Sequence, residues 1–267
     1  MTRLSFGSLL LPVYAALAFV YLLTPIAYTF AFSFNDGGRS NLVWKGFTLD
    51  NWQNPCGAPA VCQSVVNSLQ IGVLSTVVAT VLGTMVAIAL VRYRFRFRST
   101  ASLLLFLPMA TPEVVLGAAL LAQFLNLKVN LGQSTIVLAH IMFCISFVVV
   151  TVKARVAGLD PRLEEAAADL YASPQAAFWK VTFPLLLPGI AAAALLAFSL
   201  SFDDFIITNF NSGNTDTFPK FVYVSATRGI PAQANVIGSA MFFLALLIVV
   251  VAQVVAARRR RDLAPQS

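Results

Sequence analysis

Apolar residues in this chain fall into long blocks, not into a period of two or of 3.6. The blocks run over 9–34, 63–91, 101–127, 132–152, 185–207 and 235–257. An α-helix needs about 20 apolar residues to cross a ~30 Å hydrocarbon layer. The pattern therefore predicts an all-α membrane protein with six transmembrane helices. The first block follows Arg3 and contains Ala16-Leu17-Ala18, which resembles a signal-peptide cleavage site. The apolar run continues well past that point, so a retained span is expected. The predicted layout is span 1 over 1–34, an outer loop over 35–64, a core of spans 2–6 over 65–257 and a tail over 258–267. In the outer loop, Thr48 to Trp52 predicts a short interfacial helix, with the rings of Trp44 and Trp52 at headgroup depth.

The polar stretch between the fourth and fifth blocks has a structure of its own. Asp160-Pro161 and Ser173-Pro174 each place an N-cap side chain before a proline at the first helical position. Glu164 to Leu170 is dense in good helix formers. The second helix is expected to stop before Pro184, which lacks an N–H and restricts Phe183 before it. The stretch therefore reads as two short helices with a sharp corner at Tyr171-Ala172-Ser173, inside an inner loop spanning about 155–186.

Composition agrees with the pattern. Of the 267 residues, 58% are hydrophobic and 11% charged, against about 25% charged in soluble domains. Placement gives the net charge of +7 its meaning. Arg3, Arg92, Arg94, Arg96, Arg98, Lys153, Arg155, Arg162, Lys180 and Arg258 to Arg261 fall on one side of a six-span topology. Those are 13 of the 18 basic residues; Arg39, Lys45, Lys128, Lys220 and Arg228 fall on the other side. The positive-inside rule then puts both termini and the 155–186 loop in the cytoplasm. The alternation from Arg92 to Arg98 is a stop-transfer and lipid-headgroup signal, not a nucleic-acid footprint.

Several chemistries lack their motif. No glycine is followed by lysine, so there is no P-loop. With one histidine there is no His-Glu-x-x-His, and no Gly-x-Ser-x-Gly elbow occurs. The chain is therefore expected to be a non-enzyme with no cofactor or metal of its own. The informative residues are acids at membrane depth. Glu113 follows Pro112 in the third block, and a charge there is costly unless it meets water or a partner. It either lines a cavity for a cationic solute or pairs with a neighbouring helix. Asp203 and Asp204 end the fifth block; adjacent residues on a helix diverge by about 100°, so one carboxylate can face a pore and the other a loop. Phe202, Phe205, Phe210 and Tyr223 lie near them in sequence, and acids beside aromatic faces suit ammonium groups. His140 reads as a satisfied interhelical hydrogen-bonding group and Cys144 as a buried apolar residue. Cys56 and Cys62 either pair or stay free. Gly72, Gly83 and Gly117 read as close helix contacts.

The 160–188 stretch resembles the "EAA" loop of the membrane subunits of ATP-driven (ABC) importers, through Glu165-Ala166-Ala167, the corner, and the apolar run ending Leu187-Pro188. The resemblance implies a type I importer permease-like bundle with a cytoplasmic coupling helix pair. It implies ATPase-coupling roles for Glu164, Glu165, Ala166, Ala167, Asp169, Tyr171, Ala172, Ser173, Pro174, Phe178 and Trp179. Trp179 reads equally as a ring that enters a partner groove or packs back on its own bundle. That family has glycine where this chain has Tyr171, so either the corner is shaped differently or packing of the ring offsets its strain.

Further pieces narrow the resemblance to the second permease subunit of spermidine/putrescine importers. They are Phe32-Ser33-Phe34-Asn35, Gly46 to Trp52, Asn67-Ser68-Leu69, Leu107-Pro108 with Pro112-Glu113, and Phe202-Asp203-Asp204-Phe205. It implies a multi-pass cell-membrane protein working with a sister permease, two ATPase subunits that carry ATP and Mg, and an extracytoplasmic substrate-binding protein. Glu113, Asp203, Asp204, Phe202 and Phe205 are then candidates for the substrate pathway. Other readings are the same fold importing iron, thiamine, sulfate or sugar, a membrane enzyme using Glu113 and His140, or a passive channel.

Overall fold

The computed structural model describes residues 6–38 and 41–262, with side chains described over 10–38 and 41–255. Arg3 and Arg39 lie outside the described residues, as do the side chains of Arg258 to Arg261. The described residues are helical apart from loops and an isolated antiparallel bridge between Asn35 and Phe47. Five helices are single membrane-length spans: α1 (Phe6–Phe32), α3 (Pro59–Arg92), α6 (Gln133–Ala157), α9 (Phe183–Asp203) and α12 (Ala232–Asp262). A bent pair, α4 (Arg98–Ala110) and α5 (Glu113–Asn126), is together long and apolar enough to make a sixth. Shorter helices are α2 (Asp50–Gln53), α7 (Arg162–Asp169), α8 (Pro174–Ala177), α10 (Ile206–Asn211) and α11 (Phe218–Ala226).

Several expectations are corrected. The third apolar block is not one straight helix, since α4 and α5 meet at 108°. Thr111 precedes Pro112 and is driven to an extended conformation, ψ 132°. Its hydroxyl and N–H both donate to the Leu107 carbonyl, closing α4. The fifth block likewise breaks, at Asp204, where the chain turns extended. The second coupling helix does not stop before Pro184. Residues Phe178–Thr182 form a π-helical turn that leads straight into α9. The Phe183 N–H reaches the Phe178 carbonyl, five residues back. That wider turn gives the Pro184 ring room and makes its missing N–H harmless. In addition, α12 runs on through Arg258 to Arg261 as far as Asp262 instead of ending before them.

The chain divides into two compact units, Met1–Cys62 with Val222–Ser267, and Gln63–Phe221. In the first, α1 and α12 pack together, and the loop after α1 folds into a polar and aromatic knot. Asn35 holds both the Val43 carbonyl and the Lys45 N–H, and the Trp52 indole donates to the Ser33 hydroxyl. Phe34 stacks on both Phe47 and Trp52, so Trp52 is a packing residue. Cys56 and Cys62 form a disulfide.

The second unit is built on α6, which packs along α9 and also touches α4 and α10. Its buried side of Ala139, Phe143, Val148, Val149 and Val152 meets Ala79, Ala87 and Leu90 of α3 and Ala193 and Ala197 of α9. Small residues let these helices approach closely in a lipid setting, where backbone proximity replaces hydrophobic driving force. A Cβ on Gly83 would lie 2.6 Å from Val148, and one on Gly72 would lie 3.1 Å from Phe198. Gly189 makes room for the stem of Arg155, whose guanidinium donates twice to the Leu185 carbonyl and fastens the start of α9 to α6.

Candidate functional site

Two places in the Gln63–Phe221 unit gather the candidate residues. The first is a cleft of about 350 Å³ lined by Glu113, Phe143, Ser199, Asp203, Asp204 and Phe205, among others. The broken spans shape it. Glu113 begins α5 right after the bend, with its carboxylate at the positive end of a helix dipole. Asp203 ends α9. Both side chains are exposed, and neither has a hydrogen-bond or ion-pair partner among the described residues.

Asp204 behaves oppositely. It is 8% exposed. One oxygen accepts from the Ile207 N–H at 3.3 Å and the other from the Thr208 N–H at 2.7 Å, so Asp204 caps α10. His140 of α6 contacts the same carboxylate at 3.1 Å through Nε2, which also lies 3.0 Å from the Thr208 hydroxyl. Its Nδ1 lies 2.7 Å from the Ser201 hydroxyl. The two adjacent aspartates therefore diverge where α9 ends, one into a fully bonded buried cluster and one into the cleft. Asp204 touches the cleft but is spoken for, whereas Asp203 is not.

Of the aromatic candidates, Phe205 lines the cleft, while Phe202 stacks on Phe198 outside its lining. Phe210 packs over Gly117, where a Cβ would come within 2.9 Å of its ring. Tyr223 belongs to the other unit. The polar cluster around His140 had a faint signature in the sequence. Ser201, Asp204 and Thr208 recur at spacings of three and four, a polar stripe in an apolar span.

The second place is the elbow over 160–183. Ser173 caps α8 by accepting from the Ala176 N–H, as the sequence predicts; at α7 the N-cap is Pro161, and Asp160, one residue earlier, accepts from the Arg162 N–H. Tyr171 has φ +59°, in the left-handed region. The Ala172 N–H bonds to the Ala167 carbonyl and the Tyr171 N–H to the Ala168 carbonyl, the Schellman pattern that normally recruits glycine. The corner thus has the shape glycine would give it. Ring packing does not offset its cost, because Tyr171 is 98% exposed.

The elbow has two sides. Glu165, Ala166, Asp169, Tyr171, Ser173 and Pro174 are exposed, as is Leu170. Trp179 leans on Phe178 and Phe183 yet stays 62% exposed. Ala167 and Ala177 are buried, and Glu164, Ala172 and Phe178 are partly covered. Glu164 is engaged within the chain. The Arg92 guanidinium donates to its two oxygens at 2.7 and 2.8 Å, and the Thr182 hydroxyl donates at 2.5 Å. Nothing in residue spacing links Arg92 to Glu164, 72 residues apart, so the sequence could not show this pair.

Comparison with known proteins bears on both places. A family model described as "Binding-protein-dependent transport system inner membrane component" matches residues 79–262. The spermidine/putrescine transport system permease protein PotC of Escherichia coli (strain K12) is 35% identical over 244 residues, covering 91% of this chain and 90% of the relative. PotC of Haemophilus influenzae is 34% identical over 228 residues, covering 85% and 88%. The putrescine transport system permease protein PotI of Escherichia coli (strain K12) is 34% identical over 231 residues, covering 84% and 82%. Among solved structures, a bacterial ABC transporter importing the acidic polysaccharide alginate matches with TM-score 0.65 at 18% identity, over 96% of this chain and 99% of that one. The MetNI methionine ABC transporter matches with TM-score 0.59 at 17% identity, over 77% and 97%. These two likenesses carry the fold alone.

Proposed function

This chain belongs to the binding-protein-dependent transport system inner membrane components, and on that premise we propose that it carries polyamines of the spermidine/putrescine class into the cell. It does so as one permease subunit of an ATP-driven importer. The observation that carries the substrate reading is the cleft. Two carboxylates without partners among the described residues, Glu113 and Asp203, border one space with Phe143 and Phe205. A flexible polycation crossing a low-dielectric bundle needs counter-charges along its path. Aromatic faces beside the acids add cation–π attraction of about 0.5–2 kcal/mol for each desolvated ammonium group. The relatives named for spermidine and putrescine transport support the same class of solute.

In this reading the chain pairs with a sister permease, and α1 offers it an apolar surface, its most apolar stretch left unburied within the chain. A substrate-binding protein delivers the solute on the outer side. Two ATPase subunits, which hold ATP and Mg, dock on the cytoplasmic side against the exposed face of the elbow, led by Glu165, Asp169, Tyr171 and Trp179. Closure of the ATPases pushes the elbow, and the bundle alternates between outward- and inward-facing states around the cleft. Both termini lie in the cytoplasm with the elbow. The test is uptake of labelled spermidine and putrescine by cells making the whole importer. Glu113→Gln and Asp203→Asn each lower uptake about tenfold or more, since losing one counter-charge in a low-dielectric path costs over 1 kcal/mol. Unchanged polyamine uptake in both variants overturns the substrate reading.

A further inference from the structure

We propose that Glu164 is a positioning residue that ties the elbow to two core helices at once, so that a push on α7 reaches α3 and α9 together. This deepens the coupling reading above and rests on it. Glu164 sits in the first turn of α7. Its carboxylate takes both arms of the Arg92 guanidinium, at the last residue of α3. It also takes the Thr182 hydroxyl, at the end of the π-helical turn that feeds α9. Three separate elements therefore converge on one side chain. A forked guanidinium–carboxylate pair is the ion pair best suited to hold an orientation as well as a distance.

The surroundings of the pair make it matter. Packing joins α7 to the π-helical turn and to α8, and Ala167 is its one buried residue. Behind α7 lies a cavity of about 520 Å³ lined by Ile88, Arg92, Glu164, Ala168, Phe178 and Thr182, among others. Van der Waals contact cannot transmit a displacement across open space, because dispersion falls off within about an ångström of optimal contact. Arg92, Glu164 and Thr182 all line this space, so their bonds join α7 to α3 and to the π-helical turn along its wall. Glu164 and Glu165 thus divide the work of adjacent acids: Glu165 is exposed toward a partner, and Glu164 turns inward as a strut.

The test uses the complete importer, with its sister permease and ATPases, in liposomes with binding protein and spermidine. Three quantities are read: retention of the ATPases, ATP hydrolysis, and spermidine taken up per ATP consumed. Glu164→Gln and Arg92→Gln should keep the ATPases bound and hydrolysis within about twofold, while uptake per ATP falls roughly fivefold or more, the usual scale of a lost coupling. The paired swap Glu164→Arg with Arg92→Glu should recover part of that loss. Thr182→Val and Arg92→Lys, milder changes that leave the bundle intact, should each lower uptake per ATP by a smaller factor. The strut is overturned if uptake per ATP is unchanged in all four single variants, or if Glu164→Gln releases the ATPases, which would make Glu164 a direct contact. The coupling reading itself fails separately, if Glu165→Lys and Trp179→Ala leave ATPase retention untouched.

Discussion

Tyr171 holds a left-handed corner at a cost of roughly 1–2 kcal/mol relative to glycine, with its ring in the open. On the coupling reading proposed above, a partner that takes the exposed ring repays this strain. Tyr171→Gly should raise the thermal midpoint slightly and weaken retention of the ATPases; stronger retention would show that the ring is not part of the contact. The two aspartates make a matched pair of residue-scale predictions. Asp204→Ala strips the cap of α10 and leaves His140 facing a void, a loss of about 2–4 kcal/mol for a broken buried network. Thermal unfolding of the detergent-purified chain should show a drop of several degrees. Asp203→Asn, on the open face, should leave that midpoint unmoved while lowering polyamine uptake.

Among the elements, the π-helical turn and the two broken spans decide where side chains point. A single π turn adds one residue to the helix, and so rotates the residues beyond it by about 100° relative to a regular α-helix. Pro184→Ala removes the reason for the wide turn. A return to α geometry would swing Thr182 away from Glu164, so uptake per ATP should fall while the ATPases stay bound. Wild-type coupling in that variant would mean that the turn is held by something other than the proline. Close helix approaches matter in the same way. Gly83→Ala puts a methyl 2.6 Å from Val148, and overpacking of that kind costs about 1–3 kcal/mol. The midpoint of thermal unfolding measures it.

For the whole molecule the decisive quantity is orientation. The bent α4–α5 pair must count as a crossing for both termini to share a side, with Arg98 and Lys128 at its opposite ends. Single cysteines at Glu165 and at Lys128, in an otherwise cysteine-free chain, separate the cases. A membrane-impermeant maleimide added to intact cells should label Lys128→Cys and not Glu165→Cys, and inverted vesicles should reverse the pattern. Labelling of Glu165→Cys from outside would place the elbow on the wrong face for any ATPase.

The residues of this chain determine, without help from the fold, everything that depends on local order or on bulk partition. The apolar blocks fix the spans because a membrane rewards continuous apolar length. The Ser173 cap and the Asp160 bond to the Arg162 N–H fix the starts of the elbow helices because each acts within three residues of itself. The placement of basic residues points to a topology because charge is costly to carry across lipid. Only tertiary structure decided the long-range pairings and the fate of individual prolines and acids. Asp203 and Asp204 are indistinguishable as letters; packing of His140, 64 residues away from Asp204 along the chain, commits one and leaves the other open. Pro184 could have ended a helix, and instead the chain widened one turn around it, since the π register satisfies the backbone that proline would have orphaned. Arg92 and Glu164 meet because α3 and α7 bring them to the same place in space, and no local rule encodes where two distant helices will meet.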